Sequence, residues 1–103
     1  MILRIGRGRV KPGSWDEFEK LYESLLVEGE QPEGIRARWL VRDSSDESSG
    51  FTIGIWESAE TASEWVASDT FADVQEQMRP YFVGDYESYT CEVRLHEELG
   101  ETS

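Results

Sequence analysis

The chain offers one cysteine, Cys91, and one histidine, His96, and each scarcity closes off a kind of chemistry. A lone cysteine excludes an intrachain disulfide and fits a reducing compartment, so a cytoplasmic location is expected. A zinc site on Cys91 and His96 would need carboxylate ligands at spacings the sequence does not supply, and no metal is expected. A Cys91–His96 nucleophile pair fails because residues that far apart with opposite parity on a strand point to opposite faces. Positive charge is scarce as well. Residues 43–103 hold only Arg79 and Arg94 against fifteen acids, whereas residues 1–42 hold eight of the ten Lys and Arg against seven acids. The net charge of −12 repels phosphate backbones and anionic lipid, which argues against nucleic acid and membrane partners. No long apolar run is present, and Met1–Gly6 is too short for a signal core or a membrane span, so nothing predicts export. Gly6-Arg7-Gly8 lacks the third glycine of a dinucleotide-binding turn. The acidic loop Asp43–Gly50 is no calcium loop, because the place of the bidentate acid falls on Gly54.

Aromatic residues, by contrast, are plentiful: four Trp, four Tyr and four Phe in 103 residues. The length predicts a single domain over 1–103, with a core over about residues 2–97 and a frayed tail at 98–103. A chain this short buries only roughly 60–70% of its unfolded surface, so part of that aromatic surface is expected to meet a partner.

Phe51 to Pro80 organises the chain. Phe51–Trp56 is rich in β-forming residues and turns at Glu57-Ser58 into a helical pattern. Ser58 is a natural N-cap, and Glu60 then sits in the first turn, where the helix dipole favours an acid. Ala59, Ala62, Trp65 and Val66 form one apolar stripe; Ser68-Asp69 restarts the helix; Phe71, Val74 and Met78 form a second stripe that Pro80 ends. Upstream, Ile2–Val10 reads as a strand closed by Lys11-Pro12-Gly13. Gly6 and Gly8 share one face of it, which signals close approach by a helix or by a ligand. Ser14 and Glu17 make a capping box for a helix whose apolar positions run from Trp15 to Leu26. Ile35–Arg42 alternates, with Ile35, Ala37, Trp39 and Val41 against Arg36, Arg38, Leu40 and Arg42. A last strand is expected over about Asp85 to Glu97.

The order β-α-β-β-α-β predicts an α+β, ferredoxin-like fold: a four-stranded antiparallel sheet with both helical regions on one face. Large apolar side chains nevertheless occupy both strand parities. Phe51, Ile53 and Ile55 oppose Trp56, and Leu3 and Ile5 oppose Ile2 and Val10. The uncovered face is too apolar to stay wet, so a homodimer through that face is expected.

Val10-Lys11-Pro12-Gly13, Gly34-Ile35-Arg36, Trp56-Glu57-Ser58-Ala59-Glu60 and Trp65-Val66-Ala67-Ser68, in that order and spacing, resemble the antibiotic biosynthesis monooxygenase (ABM) domain. The likeness spans about residues 2–96. It implies a dimeric α+β barrel, two ferredoxin-like units packed sheet to sheet. Some members of the family oxidise polycyclic aromatic polyketides with molecular oxygen and neither metal nor flavin; several are quinol oxygenases; others open haem. The haem-opening branch carries an Asn on the first strand, a Trp on the second helix and a His after it. Trp65 matches the Trp, but Gly6 and Gln75 stand at the other two places, so haem degradation is not expected.

The resemblance and the residues together suggest a cofactor-independent monooxygenase for a small electron-rich aromatic such as a quinol or anthrone. Trp65 is the candidate catalytic residue. Trp56, Phe71, Tyr81 and Phe82 are candidate walls, Gly6 and Gly8 a candidate hollow in the sheet, and Arg7 or Arg36 a source of positive charge for a substrate anion. Two non-catalytic alternatives stay open: a module that binds a small aromatic without turnover, and a structural or regulatory homodimer whose tryptophans only pack.

Overall fold

Ile2–Val10 forms the strand β1, and it lies in the middle of the sheet rather than at its edge. A computed structural model describes residues 1–100. Along the chain, β1 is followed by α1 (Trp15–Tyr22), β2 (Ile35–Arg42), β3 (Ser49–Trp56), α2 (Ala59–Val66), α3 (Asp69–Met78) and β4 (Phe82–Glu92). The sheet order is β2-β3-β1-β4 and every pairing is antiparallel, the ferredoxin-like arrangement that the element order predicts. No helix among the described residues is long and apolar enough to cross a membrane.

Local chemistry accounts for the ends of most elements. Ser58 and Ser68 both have extended backbone, and their hydroxyls accept from Thr61 N at 3.2 Å and Phe71 N at 3.1 Å. They cap α2 and α3 and split the helical region where the sequence predicts a break. The capping box expected at Ser14 and Glu17 does not form. Ser14 closes a turn onto Lys11 O and has ψ near 1°, so its side chain cannot swing over the first amides as an extended cap residue can. After Tyr22, α1 widens into a π-helical turn, Glu23–Val27, whose last bond runs from Glu28 N to Glu23 O at 2.9 Å.

Two departures from expectation concern the strands. β4 starts at Phe82 and stops at Glu92, short of the expected Glu97. Its partner β1 begins at Ile2, which pairs with Glu92; beyond that only Val93 N reaches back, to Met1 O. A strand with no ladder partner has no reason to continue, and Leu95 is 89% exposed. The tail expected to fray lies partly beyond the described residues, at 101–103. In β2 the alternation breaks at Arg36: Ile35 pairs with Trp56 but Ala37 with Ile55, so one extra residue bulges out. Ile35 therefore faces the helices, while Ala37, Trp39 and Val41 keep to the other face.

The buried residues fall into two separate groups on the helix side of the sheet. One joins Val10 and the helix residues Phe18, Tyr22, Val74 and Met78; the other joins Ile2, Trp56 and Ala62, with Ile35 and Trp65 packed against it. The opposite face carries Leu3, Ile5, Phe51, Ile53 and Ile55 across the two central strands, flanked by Trp39, 45% exposed, and Tyr89, 49% exposed.

Candidate functional site

The gap between the two core groups is a cavity of about 410 Å³, within the size range of small-molecule sites. Tyr22, Val74 and Met78 belong to the first group and form one side; Ile35, Trp56 and Trp65 belong to the second and form the other.

Trp65 is the hinge of the aromatic wall. Its ring lies 6.3 Å from Trp56, tilted by 33°, and 5.5 Å from Phe71 in an edge-to-face contact. The α2–α3 break sets this up, because the Ser68 cap turns α3 so that Phe71 meets the indole laid down by the last turn of α2. The guanidinium carbon of Arg38 sits 6.0 Å from the Trp65 ring centroid, at the outer reach of a cation–π contact.

Arg38 is held from behind. Its Nη1 donates to Leu26 O at 2.9 Å and to Gln31 Oε1 at 2.8 Å, while Gln31 Nε2 donates to Leu26 O, Val27 O and Gly29 O. These carbonyls come from the π turn and the residues after it, where the helix ends and its last acceptors are free. The other nitrogen, Nη2, is buried and has no acceptor. Burial lowers the pKa of Arg38 from its ordinary value, opposed by Tyr22; burial also raises that of the Tyr22 hydroxyl, opposed by Arg38 and reinforced by Tyr86.

The floor is made by β4 laid across β1. Between Arg7 and Arg9 the register jumps from Glu87 to Val83, leaving a bulge over Gly84–Tyr86. Gly84 takes φ +75°, a conformation open to glycine and costly for other residues. The bulge throws Tyr86 over the glycine pair. A Cβ on Gly6 would collide with the Tyr86 hydroxyl and lie 2.6 Å from its Cζ; one on Gly8 would sit 3.0–3.1 Å from the Tyr86 and Phe82 rings. The close approach that the glycines signal is thus made by a neighbouring strand's aromatics, not by a helix. The Tyr86 hydroxyl is 3.2 Å from Thr52 Oγ1.

Of the residues singled out from sequence, Gly6, Trp56, Trp65, Phe71 and Phe82 meet at this cavity. Gly8 lies on the same face but under the Tyr86 and Phe82 rings. Tyr81 packs in the first core group, 6.1 Å from Phe18, and lies off the cavity wall. Arg7 is on the outer face over Phe51, and Arg36, at the bulge, reaches away to pair with Glu57 at 3.2 Å. The wall's positive charge comes instead from Arg4, Arg38 and Arg79, with Asp85 its single carboxylate. Arg38 stood in the alternating row of β2, but nothing in that row separates it from Arg36; the bulge does. Tyr22 reads as one more core position of α1, and Tyr86 depends on a bulge whose sole local signal is Gly84.

A family model described as antibiotic biosynthesis monooxygenase matches residues 1–77. The match stops before β4, so Phe82, Gly84 and Tyr86 lie outside it. No curated protein matches the chain. Among solved structures, SnoaB from Streptomyces nogalater, described as a cofactor-independent oxygenase and solved as a variant, superposes with a TM-score of 0.79 at 19% identity, covering 97% of each chain. A conserved protein from Methanosarcina mazei Go1 gives 0.77 at 19% identity over 87% of this chain and 89% of that one. Rv0793 from Mycobacterium tuberculosis gives 0.74 at 14% identity over 93% and 96%. At these identities the likeness is one of fold.

Proposed function

The chain belongs to the antibiotic biosynthesis monooxygenase family, and from that membership we propose that it oxygenates a small electron-rich aromatic, of quinol or anthrone type, without a cofactor. The observation that carries the proposal is the cavity itself: a slot with Trp56, Trp65 and Phe71 along one side and three arginines around it. The similarity to SnoaB, a cofactor-independent oxygenase, supports the same chemistry.

The reaction suits such a wall. An anthrone-type methylene loses a proton to give a delocalised anion. The anion passes one electron to oxygen, and the resulting radical and superoxide combine to a peroxide at that carbon. Loss of water then leaves a carbonyl. One oxygen molecule is consumed per substrate, with one atom in the product and one in water, and the substrate supplies all the electrons. The protein binds the ring flat against the indoles, favours the anion with positive charge and keeps bulk water from the peroxide. Asp85, the one wall carboxylate and an exposed one, lies where a proton can leave to solvent.

The same exposure favours a second reading, binding without turnover, because no buried base is at hand. Oxygen uptake decides. With anthrone, and no flavin, metal or reductant added, the protein is expected to raise oxygen consumption well above the buffer rate, with one new carbonyl formed per oxygen molecule consumed. Saturable binding with uptake at the buffer rate would leave only the binding module, and neither binding nor uptake would reject both.

A further inference from the structure

We propose that Tyr86 sets the length of fused-ring compound the cavity accepts. Its ring stands between the cavity and a smaller void on the far side, so a tricyclic aromatic enters and the same compound longer by one ring does not. The proposal deepens the oxygenase reading and rests on it for the aromatic class of the substrate.

The first observation is a partition. Beside the 410 Å³ cavity lies a second void of about 10 Å³, walled by Val10, Trp15, Phe18 and Leu40. The two spaces share Gly6, Thr52, Phe82 and Tyr86 as lining. Of these four, Gly6 offers no side chain and Thr52 a short one. Phe82 packs on the first core group, its ring 5.3 Å from that of Phe18. Tyr86 is the large side chain of the partition that belongs to neither core group, and it is 41% exposed.

The second observation is how that ring is held. Gly6 and Gly8 clear the sheet beneath it, and the bulge with Gly84 at φ +75° lays it there. A ring contact with Phe82 at 5.3 Å and the 3.2 Å approach of its hydroxyl to Thr52 Oγ1 keep it in place. The far wall is firmer, since Val10 and Phe18 are 2% and 1% exposed. Removing the Tyr86 ring therefore leaves a hollow the size of one six-membered ring, continuous with the cavity, and a close-packed surround relaxes only partly into such a space. Apolar hollows stay dry and take up aromatic rings; one of about 150 Å³ holds benzene. The cavity is already near the small end of the range for ligand sites, so one ring more or less decides the fit.

Quenching of tryptophan fluorescence in the full chain by two oxygen-stable probes tests this. Anthraquinone and 5,12-naphthacenequinone are uncharged and differ by one linearly fused ring. Wild type is expected to bind anthraquinone at least tenfold more tightly. Tyr86→Ala should bring the two affinities within about twofold of each other or reverse their order, whereas Tyr86→Phe, which keeps the ring and loses the hydroxyl, should retain the wild-type preference. Tyr86→Leu shortens the side chain while still covering Gly6, and it takes the place of Tyr86→Ala if that variant fails to fold. A role confined to stability would weaken both probes alike and leave their ratio unchanged. Equal affinities in wild type, or a ratio that survives in the folded alanine or leucine variant, would overturn the partition and leave the aromatic slot intact. Binding of neither probe by wild type would remove the slot as well. Because both probes are already oxidised, their binding is independent of turnover, and a failure of the oxygenase chemistry alone would show only in oxygen uptake.

Discussion

At the scale of single residues, the site is decided by what stands where a side chain is missing. Gly6 has no Cβ because the Tyr86 hydroxyl occupies that space. Gly6→Ala is therefore expected to push Tyr86 off the sheet and destabilise the fold by about 1–3 kcal/mol, the usual range for overpacking, seen as a lowered melting temperature. A melting temperature within a degree or so of wild type would mean that Tyr86 moves freely. Trp65 calls for a gentler exchange. Trp65→Phe keeps most of the buried area but removes the indole that meets Trp56, Phe71 and Arg38. Binding of anthrone- or naphthoquinol-like compounds should weaken several-fold, through the loss of about 0.5–1.5 kcal/mol of ring–ring contact. If only stability falls and no binder exists for wild type, Trp65 merely packs. Tyr22 gives a pH signature. Burial raises its pKa above the ordinary 10.0, so the folded state keeps a proton that the unfolded chain releases. Its contribution is fully present below about pH 10 and is lost as pH rises further. Thermal melts from about pH 9 to about pH 11 should show a shallower alkaline decline in Tyr22→Phe than in wild type.

At the scale of elements, the caps separate cleanly. Ser58→Ala and Ser68→Ala each remove a hydroxyl that accepts an amide, and each is expected to cost about 1 kcal/mol. Ser14→Ala removes a hydroxyl that caps nothing and should leave the denaturation midpoint nearly unchanged. The same contrast shows what sequence conveys. Ser58 and Ser68 were legible because an extended residue before an apolar stripe has one good use for a hydroxyl. Ser14 and Glu17 satisfy the same pattern, yet the Lys11–Ser14 turn fixes a backbone that the pattern does not encode. The strands follow similar logic. β1 and β2 could be bounded from alternation and turn residues, since both depend on local preference. The bulge at Arg36 and the bulge at Gly84–Tyr86 depend on pairing with other strands, and those two bulges decide which arginine and which tyrosine reach the cavity. The aromatic half of the site was thus readable from periodicity, while its charged half was not.

At the scale of the whole molecule, the sheet face away from the helices remains the feature in search of a partner. Trp39 and Tyr89 stand nearly half exposed beside Ile53 and Ile5, and apolar surface of that kind is expected to pair with a second copy. Sedimentation equilibrium at micromolar concentration should return twice the chain mass of 11.8 kDa, and a monomer mass there would reject the homodimer. The sheet order has a temporal side as well. β1, the first of the four strands along the chain, is completed on one edge by β3 but on the other only by β4, where Ile2 meets Glu92. Contacts that distant in the chain form slowly, and a ribosome adds only about 5–20 residues per second. A nascent chain that has reached Arg79 can already assemble three strands and both helical regions, yet it holds an open sheet edge and a cavity without its floor. The floor arrives only with Phe82, Gly84 and Tyr86, so the cavity is closed after the other three strands and both helical regions have been made.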